Sequence, residues 1–110
     1  MLENITDTSF QALMKSELFD PLGMHNASMS YDEMIINDNI AIPHLNTRKG
    51  YQPQKLSRAY YNTAAAGGIN ASILDMSQWM KALLGQHPDI IPLDVLDSVF
   101  TPRIRTSVKN

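Results

Sequence analysis

The sequence predicts a mainly α fold of about three helices, and three observations support this prediction. Apolar residues recur at intervals of three and four in three separate stretches. Two of these stretches begin with the spacing of a helix cap. Between the first two helices lies a long, loop-rich segment with room for one or two short strands. Because 110 residues are enough for a single core, we expect one domain or part of one.

The first helix is predicted over residues 9–19. Thr8 and Gln11 have the spacing of a capping box, in which a hydroxyl accepts a hydrogen bond from a free amide of the first turn. Pro21 cannot continue a helix, so the helix must end before it. We expect Leu22 and Met24, in the turn that follows, to be buried. The apolar residues with helical spacing are Phe10, Leu13, Met14 and Leu18.

Residues 27–62 show little periodicity and are rich in Asn, Asp, Tyr and Pro. Four isoleucines could place one or two short strands in this segment. A stretch without structure of this length normally indicates either a functional loop or a missing packing partner, and we favour the missing partner. The isoleucines are Ile35, Ile36, Ile40 and Ile42.

Residues 64–84 contain the clearest turn and helix-start signals in the chain. Gly67 and Gly68 permit a tight turn. Ser72 and Asp75 then have the capping-box spacing, which predicts a helix over residues 72–84. We expect Asp75 to lie off its apolar face, and that face to need a covering partner. The apolar face is formed by Ile73, Met76, Met80, Leu83 and Leu84, with Trp79 beside it.

A third, short helix is predicted near the end of the chain. Gly85 ends the second helix, and Pro88 and Pro92 bracket an extended link. Pro102 then marks the end of the third helix. Its apolar positions are Leu93, Leu96, Val99 and Phe100.

Composition excludes several classes of function. The 44% apolar and 18% charged residues are typical of a soluble globular protein, and no apolar run approaches the roughly 20 residues of a membrane span. Nine scattered Lys and Arg against eleven Asp and Glu give a net charge of −2, so we expect no nucleic-acid or membrane partner. The chain has no cysteine and shows no signal peptide at its start. These features do not assign the protein to a cellular compartment.

Taken one by one, the polar residues assemble no active site. Asp32 and Glu33 are adjacent and therefore diverge, while Asp94 and Asp97 fit solvated positions on a short helix. Ser72 is better explained as a helix cap than as a nucleophile. The histidines have no metal-ligand spacing, so neither a metal nor another cofactor is predicted. These histidines are His25, His44 and His87.

Three segments occur in the order and approximate spacing of one family. Residues 9–28 contain Phe-Asp-Pro-Leu-Gly-Met-His-Asn-Ala-Ser, residues 40–44 read Ile-Ala-Ile-Pro-His, and residues 65–84 hold the glycine pair and the second helix. Together they resemble the middle of class C beta-lactamase-like serine hydrolases, the group that also holds penicillin-binding proteins and esterases. The resemblance covers about residues 5–102. It implies a helical subdomain from a larger α/β enzyme, whose active site lies in the cleft between the two parts.

The resemblance also implies acyl transfer through a serine ester, but the residues for that chemistry are missing here. The family uses Ser-x-x-Lys, Tyr-x-Asn and a Lys-Thr-Gly or His-x-Gly strand, and the first and third of these motifs do not occur in the chain. Tyr60 begins a Tyr-x-Asn sequence. In the family, however, that element precedes the Pro-Leu-Gly-Met turn, whereas Tyr60 follows it. No catalytic residue is therefore predicted, and the chain alone is expected to be inactive.

A part of the substrate cleft can nevertheless be assigned through the resemblance. In the family, the segment before the second helix forms the cleft rim on the helical side. The resemblance therefore implies that residues 62–68 face the substrate of an intact enzyme and shape its pocket without bond chemistry. The predicted rim residues are Asn62, Ala65, Ala66, Gly67 and Gly68.

Three hypotheses follow for the chain as a whole. In the first, residues 1–110 are a single partial domain of a serine hydrolase whose apolar face meets the missing α/β domain or a second copy. In the second, the chain is a stand-alone interaction module that uses the same face for a protein partner. In the third, it has activity through another site. The substrate of a parent enzyme, whether a beta-lactam, an ester or a D-amino peptide, depends on parts outside the chain.

Overall fold

The computed structural model describes residues 5–104. Within them, five α-helices and two short helices of other types accompany a two-stranded antiparallel sheet. About 46% of these residues are helical and about 10% lie in strands or bridges. The prediction of a mainly α fold was therefore wrong, since the described part of the chain is a small mixed fragment.

The first helix occupies the predicted span, with an irregular second half. Helix α1 (Phe10–Met14) continues as a π-helix (Lys15–Phe19). Its cap is Ser9, whose Oγ accepts from the Ala12 amide over 3.2 Å, and not the predicted Thr8. The turn that follows contains Gly23 with φ +70°, a conformation that favours glycine.

The segment between residues 27 and 62 is more ordered than predicted. It contains helix α2 (Tyr31–Ile35), strands β1 (His44–Thr47) and β2 (Gly50–Pro53), and a 3-10 helix (Arg58–Thr63). Placing strands at the isoleucines was wrong for all four, because Ile35 is helical and the other three lie outside both strands. The reason at Ile35 is local, because the Ser30 hydroxyl caps α2 by accepting from the Glu33 amide over 3.2 Å.

The two strands form a hairpin whose turn was not predicted from the sequence. Thr47 pairs with Gly50 across a two-residue connection, and Gly50 has φ +85°. The Thr47 hydroxyl accepts from the Lys49 amide (3.1 Å) and donates to the Gly50 carbonyl (2.8 Å). A glycine with positive φ after a tight turn is a common way to close a hairpin. All but one of the strand residues are exposed, so the hairpin projects from the fragment.

Of the last three helices, the second and third were predicted, whereas the first lies where only a glycine turn was predicted. Helix α3 (Ala64–Gly67) leads to helix α4 (Ile73–Leu83), and helix α5 (Leu93–Phe100) comes last. The capping box at the start of α4 is confirmed, because both reciprocal hydrogen bonds between Ser72 and Asp75 are present. No helix described between residues 5 and 104 is long and apolar enough to cross a membrane.

The hydrophobic core lies around the end of the first helix and the inner side of α4. Leu22 and Met24 are buried as predicted, with 3% and 4% of their surface exposed. The predicted face of α4 was wrong in part, because Asp75 is buried and Ile73 is 83% exposed. Trp79 and Leu83 do pack against the core. The buried residues of α4 are Asp75 and Ala82. The buried apolar residues are Phe19, Leu22, Met24, Met29, Ala64, Ala82, Ile91 and Leu96.

Candidate functional site

The predicted rim residues lie together around one short helical turn. Asn62 belongs to the 3-10 helix, and Ala65, Ala66 and Gly67 belong to α3. All four are exposed, while Gly68 directly after them is buried. The segment therefore presents small side chains and backbone on its surface.

The two rim glycines have different surroundings. A Cβ atom at Gly68 would lie 2.6 Å from the Ala64 Cα and 2.9 Å from the Ala64 Cβ, so only glycine fits there. The Gly68 amide donates to the Ala64 carbonyl over 2.8 Å. A Cβ atom at Gly67 would meet nothing within 4 Å. Gly68 is thus required by packing, whereas Gly67 leaves open space at the surface.

Gly67 and Gly68 line a cavity of about 280 Å³, and the other three predicted rim residues do not. The lining also includes residues 41–43 before the hairpin and residues 56 and 57 after it. Tyr60 also lines the cavity and is 69% exposed. Several lining residues had no role predicted from the sequence. These are Met34, Leu56, Ser57, Tyr61 and Asn70.

A set of three side chains, which we name the Asn70 cluster, lies beside this cavity and consists of Ser28, Tyr61 and Asn70. The Tyr61 hydroxyl donates to Oδ1 of Asn70 over 3.0 Å, and Nδ2 of Asn70 donates to the Ser28 Oγ over 3.2 Å. The Ser28 and Asn70 backbones also exchange two hydrogen bonds, of 3.0 and 2.8 Å. The cluster therefore joins the two ends of the rim segment to a distant part of the chain.

Tyr61 is also held on its other side by an aromatic and charged group. Its ring meets Tyr31 edge to face, with centroids 6.2 Å apart. The Arg58 guanidinium lies 4.5 Å from the centroid of the Tyr31 ring. Arg58 binds Asp32 through two hydrogen bonds, one of them 2.9 Å long. The hydrogen bond from Arg58 holds the pKa of the exposed Asp32 carboxyl below its usual value.

Asp75 fixes the start of α4 to the turn after the first helix. Its Oδ2 accepts from the Ser72 amide (2.8 Å) and hydroxyl (2.7 Å), and its Oδ1 accepts from the Asn26 amide (3.2 Å). Burial opposes ionisation of this carboxyl, but these hydrogen bonds and the nearby His25 outweigh it. The pKa of Asp75 therefore lies below its ordinary value. Since the Ser72 hydroxyl is engaged by this carboxylate, its predicted role as a cap is confirmed.

A second cavity, which we name the α1–α4 groove, lies between the first helix and α4. Its volume is about 430 Å³, and Met76 and Trp79 of α4 contribute to its lining. Its lining is apolar and includes the only tryptophan of the sequence. The lining residues are Met14, Leu18, Phe19, Met24, Ile69, Ala71, Met76 and Trp79.

The histidines and carboxylates form no metal site within residues 5–104, where no three such side chains come together. His44 Nδ1 lies 2.8 Å from the Ile42 carbonyl, at the base of the hairpin. The described residues thus form a cavity that could bind a ligand and a helix cap whose hydrogen bonds position the start of α4.

Comparison with known proteins identifies the family. The model of the Beta-lactamase family matches residues 1–105. The chain resembles the structure of the octameric penicillin-binding protein homologue from Pyrococcus abyssi, with a TM-score of 0.79 and 20% identity over 91% of this chain. It spans only 22% of that chain, and no curated protein sequence matches significantly. Since the family model covers nearly all of its residues, the chain belongs to the Beta-lactamase family.

Proposed function

We propose that this chain is an internal part of a beta-lactamase-like serine hydrolase and forms most of its helical subdomain. In the intact protein, acyl transfer through a serine ester would hydrolyse a beta-lactam, an ester or a D-amino peptide. The observation that carries the proposal is the family match over residues 1–105, together with a fold that spans about a fifth of a solved relative. Residues 1–110 then constitute a single partial domain.

The chain alone lacks the groups for this reaction. It contains no Ser-x-x-Lys, Lys-Thr-Gly or His-x-Gly sequence. The nucleophile, its base and the strand that binds the acyl group must come from other parts of the intact protein. We therefore expect the 110-residue chain to be inactive.

The role of the chain in the intact enzyme is to form part of the substrate cleft. The proposed rim residues are Asn62, Ala65, Ala66, Gly67 and Gly68. The position of both glycines at the cavity of about 280 Å³ supports this role. Small residues at a rim let a ligand approach the backbone closely.

The partner of the exposed apolar face is proposed to be the α/β part of the same enzyme. The face contains Ile73, Met80 and Leu84, which are 83%, 59% and 74% exposed, and it borders the α1–α4 groove. An apolar surface of this kind normally has a covering partner. Self-association is the alternative, and the relative from Pyrococcus abyssi is described as octameric.

A chromogenic beta-lactam and an activated ester test the proposed function. The full-length protein that contains this chain should turn over at least one of them, whereas the 110-residue chain should turn over neither. Loss of turnover after replacement of the Ser-x-x-Lys serine by alanine would assign the nucleophile. Turnover by the 110-residue chain would contradict the proposal and would indicate an active site within the chain itself.

A stand-alone interaction module is the second candidate, and the exposed face of α4 favours it. The coding DNA on either side separates the two candidates. In-frame Ser-x-x-Lys and Tyr-x-Asn sequences upstream, with Lys-Thr-Gly or His-x-Gly downstream, are expected for a hydrolase. Start and stop codons at the ends of the chain would support the module. Sedimentation at high concentration and binding of a hydrophobic dye then show whether the chain self-associates through the exposed apolar face of α4.

A further inference from the structure

The rim glycines lie within a segment whose two ends are tied together. Tyr61 precedes the segment and Asn70 follows it. Their side chains form a hydrogen bond of 3.0 Å from the Tyr61 hydroxyl to Oδ1 of Asn70. This bond closes residues 62–69 into a loop, inside which the Gly68 amide bonds to the Ala64 carbonyl.

The same asparagine fastens the closed loop to the core of the fragment. Its Nδ2 donates to the Ser28 Oγ over 3.2 Å, and the two backbones exchange hydrogen bonds of 3.0 and 2.8 Å. Ser28 is followed by Met29, which is only 3% exposed. Asn70 therefore attaches the loop to Ser28, which lies 42 residues away in sequence and next to a buried residue.

The orientation of Tyr61 is restricted independently of Asn70. Tyr31 contacts the Tyr61 ring edge to face, and Arg58 covers the Tyr31 ring while it binds Asp32. A phenol held in this way has few orientations to lose when it donates its hydrogen bond. Its hydroxyl is thus preorganised to meet Asn70.

We propose that the Asn70 cluster positions Gly67 and Gly68 at the cavity wall, so that the rim is already in its binding geometry before the substrate arrives. This inference rests on the proposed function, because it assumes that the cavity faces the substrate of the intact hydrolase. Preorganisation removes the entropy cost of ordering a loop on binding. Asn70 is accordingly a positioning residue that affects substrate binding more than the chemical step.

Amide hydrogen exchange on the 110-residue chain tests whether the cluster holds the rim. In Asn70→Ala, we expect the Gly68 amide to exchange about tenfold faster, since the variant loses two side-chain hydrogen bonds. The Ala82 amide, in the core part of α4, should keep its rate within about twofold. An unchanged Gly68 rate would overturn the proposal. So would equal acceleration at Gly68 and Ala82, because that result would show a role in global stability only.

Two matched variants control for loss of the side chain itself. In Asn70→Asp, the carboxylate still accepts from Tyr61, and the Ser28 hydroxyl can donate to it, so the slow Gly68 exchange should be restored. Asn39 is an exposed asparagine outside the cluster, and Asn39→Ala should leave the Gly68 rate unchanged. Failure of Asn70→Asp to restore slow exchange would contradict the assigned hydrogen bonds.

Kinetics of the full-length protein test whether the held rim serves the substrate. Asn70→Ala should raise KM about tenfold with kcat unchanged, and Asn70→Asp should restore KM. Faster rim exchange with an unchanged KM would overturn the role in substrate binding. A full-length wild-type protein without turnover would instead overturn the proposed function, and the exchange rates would still decide whether the cluster holds the rim.

Discussion

The cap of helix α4 and the rim segment before it are neighbours in the chain but are stabilised in different ways. The cap depends on a buried, ionised carboxylate, Asp75, with three hydrogen bonds. The rim depends on neutral hydrogen bonds of Tyr61 and Asn70, which are only partly buried. Hydrogen bonds to charged groups are stronger than those between neutral groups. The cap should therefore behave as part of the core, whereas the rim should be able to open locally.

The largest expected effect of a single substitution is at the cap. Asp75→Ala removes the partner of the Ser72 amide and hydroxyl and of the Asn26 amide, and it leaves these donors without their acceptor. We expect a loss of about 3 kcal/mol in the free energy of unfolding, measured by urea denaturation. Asp38→Asn, at an exposed position, should change it by less than about 0.5 kcal/mol. A similar small change for Asp75→Ala would show that the cap is not part of the core.

The next largest effect should separate the two glycines of the rim. In Gly68→Ala, the new Cβ atom would lie 2.6 Å from the Ala64 backbone, and we expect a loss of about 2 kcal/mol. In Gly67→Ala the space is open, so the change should range from neutral to a gain of about 1 kcal/mol. Urea denaturation of both variants measures the difference. Equal losses would mean that packing requires a glycine at both positions and would contradict the open space at Gly67.

The smallest expected effect is the dependence of stability on pH. Because the pKa of Asp75 is lowered by folding, its contribution is fully present above its ordinary value of about 3.8 and is lost as the pH falls through the folded value. Urea midpoints from neutral pH down to about pH 2 measure this loss. In Asp75→Asn the dependence should flatten without disappearing, since the pKa of Asp32 is also lowered. An unchanged profile in this variant would show that the carboxylate does not ionise as described.

What could be predicted from the sequence depended on how many residues separate the interacting partners along the chain. Ser72 and Asp75 are three residues apart, and both their cap and the helix after it were predicted correctly. The Tyr61 contact to Asn70 spans nine residues, and the Asn70 contact to Ser28 spans 42, with no periodic pattern to reveal either. Of the predicted rim residues, Gly67 and Gly68 line the cavity and the other three do not.

The mainly α prediction failed for a related reason. Strands β1 and β2 are short and exposed, so they lack the alternation of apolar and polar residues that indicates a half-buried strand. The available signal was Gly50, whose positive φ closes the connection between the two strands. Burial of Asp75 was missed because its second partner, the Asn26 amide, lies 49 residues away.

The exposed hairpin has a consequence for how the two halves of the chain stay together. Contacts that join residues before the hairpin to residues after it include Asn26 with Asp75 and Ser28 with Asn70. The Arg48–Lys49 connection at its tip is exposed and basic, as trypsin requires. A single cut there should leave two peptides that remain associated without a covalent link. Continued association after the cut would show that the loop is a dispensable tether and that the two halves could serve as a split reporter.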